Sequence, residues 1–227
     1  MMKLKYLICN HKNKLTYNEV KRCVNELASI DTSKVNFIVC PSLPYVYNFI
    51  DYKIGAQDVS GFEETLTGEI TAKQLKSLMV EYVIIGHAER RYLLNENNEA
   101  FISKIKMANK YNLKVIYCVT ENEMFLDEAK EIIKQDLQVM KEYLKDNAII
   151  AYEPKWAIGS DIELDIDYIS EVIKLIKDTV NNEVIYGGHV TDKNVDNLLK
   201  IEEINGFLIS NSSLDSNILQ NIISKMS

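Results

Sequence analysis

The sequence predicts an α/β fold: a closed (β/α)8 barrel, with residues 1–227 forming a single domain. Three observations predict it. Eight short runs rich in Val, Ile and Tyr recur along the chain, each too short for a helix and suited to a buried strand. Longer stretches with helical apolar spacing lie between them, and that alternation marks parallel strands joined by helical crossovers. Eight such units in 227 residues match the size of a closed barrel. An open, doubly wound sheet is the alternative. It would leave two edge strands and usually needs a glycine-rich first turn, which Asn10-His11-Lys12-Asn13 is not. No linker, low-complexity tract or charge block divides the chain.

The elements follow in order. Lys5–Cys9 is the first predicted strand, and Tyr17–Ser29 then sets Val20, Val24 and Leu27 on one helical face. Val35–Cys40, Lys53–Ala56 and Tyr82–Ile85 are the second to fourth strands. His87 follows the fourth, and Ala88-Glu89-Arg90-Arg91 reads as a helix start. Lys114–Cys118 is the fifth strand. A helix over Glu121–Lys145 follows, with Phe125, Ala129, Ile132, Ile133, Leu137, Met140 and Leu144 at helical spacing. Ala148–Tyr152 is the sixth strand, and Asp165–Val180 a helix carrying Ile169, Val172, Ile173 and Ile176. Val184–Tyr186 and Gly206–Ile209 complete the eight. The last helix spans Leu214–Met226, with Ser212-Ser213 in N-cap position.

Composition narrows the function. Hydrophobic residues make up 47% and charged residues 26%, as in soluble globular proteins. The net charge of −7 argues against nucleic acid as a partner, and an anionic substrate would have to be held by local positive potential. Cys9, Cys23, Cys40 and Cys118 lack metal-like spacing and read as free thiols in a reducing compartment. The N-terminal apolar run is too short for a signal peptide, and no stretch approaches membrane-span length. A cytoplasmic location with no membrane partner is expected.

The polar residues fall where a barrel does its chemistry, at the carboxyl ends of the strands. The sixth strand delivers Glu153 and stops at Pro154; Trp156-Ala157-Ile158-Gly159 then forms an apolar flap. All three histidines follow strand ends: His11 the first strand, His87 the fourth and His189 the seventh. On strand alternation, His11 should point away from Asn10 and Lys12. Burial can make Glu153 a general base. Lys12 supplies fixed positive charge for an anionic substrate or a developing enolate oxygen. A helix start at Ala88 disfavours a cationic His87, leaving a neutral imidazole that can donate a hydrogen bond. Asn10 can donate to a substrate oxygen or pin its own loop. Each residue also has a plain reading: an ion-pair partner for Glu153, a solvated lysine, a capping histidine. No metal-ligand cluster or nucleophile-base pattern appears. The set favours metal-free, cofactor-free proton transfer on a small anionic carbonyl compound.

These residues together resemble the triosephosphate isomerase family over essentially the whole chain. The resemblance rests on Asn10-His11-Lys12, Gly55-Ala56-Gln57-Asp58, Thr67-Gly68-Glu69, Gly86-His87-Ala88-Glu89-Arg90-Arg91, Tyr152-Glu153-Pro154-Lys155-Trp156-Ala157-Ile158-Gly159 and Tyr186-Gly187-Gly188. That family is a standard illustration of acid/base tuning and lid closure. The resemblance implies a TIM barrel that interconverts dihydroxyacetone phosphate and glyceraldehyde 3-phosphate. Glu153 would be the base and His87 the neutral electrophile, with Lys12 and Asn10 holding the substrate. Glu89 would orient Lys12, and Glu96 would stand behind it. Residues 154–160 would be the closing lid, with Gly159 at the phosphate. The family also implies a homodimer in which the Thr67 loop enters the neighbour near Lys12.

The departures cluster at the phosphate end. His189 replaces the family's usual serine, and Ser210-Asn211 its usual Gly-Gly. These side chains would either crowd the phosphate or offer it their own donors. Ala88 replaces a serine, Lys155 a hydrophobic residue, and Ile162-Glu163-Leu164 the usual second lid hinge. Two alternatives stay open: an isomerase of another small sugar phosphate, such as a four-carbon tetrulose phosphate, and a barrel without turnover.

Overall fold

The computed structural model describes residues 4–64, 66–123, 125–158 and 165–226. Eight parallel strands close a barrel in sequence order. They are β1 (Tyr6–Asn10), β2 (Asn36–Cys40), β3 (Lys53–Ala56), β4 (Tyr82–Ile85), β5 (Lys114–Glu121), β6 (Ile149–Pro154), β7 (Glu183–Tyr186) and β8 (Ile204–Ile209). The helices are α1 (Tyr17–Leu27), α2 (Ala72–Ser77), α3 (Ala88–Tyr92), α4 (Asn98–Lys110), α5 (Leu126–Met140), α6 (Ile166–Thr179), α7 (Val195–Leu198) and α8 (Ser216–Lys225). Between β2 and β3 the crossover carries no α-helix, only a 3-10 segment, Leu43–Phe49, that buries Val46 and Phe49. No helix among the described residues is long and apolar enough to cross a membrane.

Side chains alternate between two cores because the strand period is two. Leu7, Cys9, Val39, Val83, Val119, Ile150, Val184 and Phe207 face the helices. Ile8, Ile38, Ile84, Ile116, Cys118, Ala151, Ile185 and Leu208 fill the barrel interior. Two residues further along each strand, the same inward parity brings Asn10, Thr120, Glu153, Gly187 and Ser210 to the mouth. The site is thus set by strand register, with Thr120 paired to Glu153 and Tyr152 to Tyr186.

Four expectations change. Glu121 is the last residue of β5, not the start of a helix, because β5 follows β6 as far as Pro154. Phe125 is 72% exposed and precedes α5, so its apolar spacing did not mark the core. The buried face of α5 is Ala129, Ile133, Leu137 and Met140, and the helix ends at Met140. The cap of α8 is Asp215, which accepts from the Asn217 and Ile218 amides at 3.0 and 3.1 Å. Ser212 and Ser213 instead lie in a 3-10 turn, where their hydroxyls donate to the Val190 and Ser210 carbonyls.

Candidate active site

Glu153 sits inside β6, 1% exposed. Its Oε2 accepts from the Ala88 amide at 3.1 Å. Its Oε1 lies 3.3 Å from His87 Nε2, yet it makes no hydrogen bond, because the N–H direction misses it. One oxygen is therefore tethered and the other is free to act. Gly187 makes room for this carboxylate: a Cβ there would stand 2.9 Å from Glu153 Cγ. At Gly188 a Cβ would overlap the Tyr186 hydroxyl.

His87 caps α3, and its Nδ1 accepts from the Glu89 amide at 3.2 Å. An accepting Nδ1 carries no proton, so the proton of a neutral ring sits on Nε2. The histidine is 7% exposed. Its orientation thus follows from the Gly86-His87-Ala88-Glu89 turn itself.

Lys12 adopts φ +51°, a conformation uncommon outside glycine and Asn/Asp. Three side chains hold it there. Asn10 Oδ1 accepts from the Lys12 amide at 3.2 Å, while Ser42 Oγ and Gln57 Nε2 donate to the Lys12 carbonyl at 2.6 and 2.8 Å. Lys12 Nζ is ion-paired with Glu89 Oε1. Burial alone would raise the Glu89 carboxyl, but the bond from Lys12 and the charges of Lys12 and Lys14 help hold it below the ordinary value.

Across the mouth, Ser210 Oγ is buried without a partner. Asn211 Oδ1 accepts from Lys14 Nζ, and the half-buried His189 is fixed through its carbonyl by Asn194 at 2.9 Å. A cleft of about 610 Å³ joins both halves, lined by Lys12, His87, Glu153, His189, Ser210 and Asn211 among others. That volume suits a small ligand. Ile158 lines its edge. Behind the flap, Glu121 Oε1 accepts from the Tyr152 hydroxyl at 2.8 Å and from Trp156 Nε1 at 3.2 Å. Burial raises the Glu121 carboxyl, opposed by these bonds and the Glu123 amide.

The family model described as triosephosphate isomerase matches residues 5–226. The chain belongs to the triosephosphate isomerase family. It is 40% identical over 169 residues to the triosephosphate isomerase of Mesomycoplasma hyopneumoniae (strain 232), covering 72% of this chain and 70% of the relative. It is 36% identical over 202 residues to that of Natranaerobius thermophilus, covering 79% and 78%. It is 34% identical over 234 residues to that of Mycoplasma mobile, covering 94% and 96%. The chain is accordingly an aldose-ketose isomerase of the triose phosphate type.

Against the triosephosphate isomerase pattern, the structure brings Asn10, Lys12, His87, Glu89, Glu153, His189, Ser210 and Asn211 to one cleft. Gly159 and the second lid hinge lie outside the described residues. Glu96 stands apart from the cleft, bonded to Arg90 and Lys104, which also hold Asp58. Burial alone would raise the Glu96 carboxyl, and Arg90 and Lys104 reverse this. His11 turns away as alternation requires: it is 2% exposed and packs edge-on against Phe49 at 5.3 Å. It takes no part in the cleft, so the three histidines do not share one site. Sequence reading missed Ser42, Gln57, the Ala88 amide and Glu121. Ser42 is a loop donor with no local pattern, Gln57 stands in the Gly55-Ala56-Gln57-Asp58 motif without having been given a role, and an amide has no side-chain signature. Glu121 was hidden by its misplacement in a helix.

Proposed function

We propose that Glu153 is the base that moves a proton between the two carbons flanking the carbonyl of a triose phosphate. Glu153 Oε1 takes the proton from the carbon beside the carbonyl while His87 Nε2–H hydrogen-bonds the carbonyl oxygen. Lys12 stabilises the enediolate charge, and Asn10 supports Lys12 through its backbone. The carboxylic acid formed on Glu153 then returns its proton to the neighbouring carbon, interconverting dihydroxyacetone phosphate and glyceraldehyde 3-phosphate. The reading rests on one observation above all: an unpartnered, buried carboxylate oxygen 3.3 Å from a neutral imidazole, in a cleft that also holds Lys12. His189, Ser210, Asn211 and Gly159 take the phosphate in this proposal, and Glu89 positions Lys12.

A coupled assay in both directions tests it. Glu153→Gln should lower kcat by about 10²–10⁴-fold with an unchanged fold; unaltered turnover would show that Glu153 is not the base.

The proposal takes residues 1–227 as one domain working as a homodimer, with the Thr67 loop of each copy reaching toward the other's Lys12. Tyr47, Phe62 and Leu66, exposed by 67, 58 and 43%, are apolar side chains that a partner could cover. A second cleft of about 440 Å³ next to Lys12, lined by Asn13, Leu43 and Gln57 among others, offers the loop a place to enter. Four unpaired thiols, three of them buried, suit the reducing cytoplasm.

A further inference from the structure

Lys14 reaches from the loop after β1 to the loop after β8, where its Nζ bonds Asn211 Oδ1. An ammonium group only donates, so the amide oxygen must face it and both Nδ2 N–H donors are left over. Ser210 Oγ, the adjacent polar atom, is buried and has no partner. All three residues line the same end of the cleft.

The charges are divided between the two ends. Glu153 is bound by the Ala88 amide and Glu89 by Lys12. Lys14 makes no ion pair within 4 Å among the described residues, and only its longer-range field reaches Glu89. The backbone also accepts side chains here. Ser210 has φ −121°, and neither it nor Asn211 adopts the left-handed conformation that would require glycine.

We infer that Lys14 is a phosphate-binding residue of this chain, clamping the phosphate monoester end of the substrate together with the Asn211 amide and the Ser210 hydroxyl. The inference rests on the reading of the cleft as a triose phosphate site. Its logic is substitution: where glycine amides would present backbone N–H groups, this chain presents a cation and side-chain donors. In a chain with net charge −7, the dianionic phosphate is held by this local positive group.

Lys14→Met, Lys14→Arg and Asn211→Leu, compared with the parent protein, test the inference. Lys14→Met should raise KM for both triose phosphates, and the competitive inhibition constant of inorganic phosphate, by about tenfold, with kcat less affected. Lys14→Arg should restore most of the loss. The rise of KM with added sodium chloride should be shallower in Lys14→Met than in the parent. Asn211→Leu, which keeps the lysine, should raise both constants by a smaller factor. Unchanged KM and unchanged phosphate inhibition in Lys14→Met overturn the inference. If the parent fails to turn over triose phosphates, the site reading itself falls. Inorganic phosphate binding to the parent and Lys14→Met, followed by calorimetry, then decides the role of Lys14 independently: equal affinity rejects it, weaker binding by the variant upholds it.

Discussion

Two buried histidines of this chain differ in what their rings touch. His87 Nδ1 accepts an amide hydrogen and its Nε2 faces a carboxylate, whereas His11 Nδ1 is buried with no partner at all. Burial lowers the His11 pKa from 6.5 to about 4. The unfolded chain takes this proton near pH 6.5 and the folded chain only near pH 4, so the unfolded state is the more protonated between them. Stability therefore falls as pH drops through that window, by about 3 kcal/mol for this residue. His11→Phe, which keeps a ring against Phe49, should remove that share of the acid sensitivity. Urea unfolding at pH 7.5, 5.5 and 4.5 would show it. Parallel pH profiles for parent and variant would mean that His11 does not titrate on unfolding.

At the scale of elements, strand ends carry the chemistry and their last residues matter most. β5 continues to Glu121, and this extension gives the Tyr152 hydroxyl and Trp156 indole a common acceptor. The first hinge of the flap, the 3-10 turn Lys155–Ala157, is thereby anchored from below, while Trp156 also packs edge-on against Tyr168 at 5.6 Å and Lys155 lies 4.1 Å over the Tyr92 ring. The loop after β8 is fixed differently, by the serine hydroxyls of its 3-10 turn and by the Asp215 cap that starts α8. Asp215→Ala removes an acceptor for two amides and should cost about 1 kcal/mol of stability, read from the urea midpoint. Ser213→Ala should not reproduce the effect through α8, since Ser213 Oγ bonds Ser210. An Asp215→Ala midpoint equal to the parent's would remove Asp215 as the stabilising cap.

The whole molecule joins a closed barrel to an uneven surface. Every strand has two neighbours, so no edge is left to pair with another chain. Association must therefore use loops and side chains, and Tyr47, Phe62 and Leu66 are exposed apolar residues, the last two close to Thr67 in sequence. Sedimentation at micromolar concentration should give about twice the chain mass of 26.1 kDa, and a Tyr47→Asp/Phe62→Asp variant should shift to the single-chain mass. A parent protein that sediments as one chain would overturn the dimer.

The barrel was legible because its information is local and repeated. An apolar run of three to six residues bounded by polar segments marks a buried strand, and eight of them in alternation leave few topologies. Glu153, His87 and Lys12 were legible for the same reason: each directly follows or ends such a run, and alternation places a residue in or out of the barrel from its parity alone. Alternation likewise turned His11 away from the cleft. What the sequence could not decide were contacts between distant segments. That Glu121 belongs to a strand depends on β6 running beside it as far as Pro154. Lys14 and Asn211 meet only because β1 pairs with β8 when the barrel closes. Local residue chemistry determined which groups could do the proton transfer; closure of the barrel decided which of them stand within reach of one another.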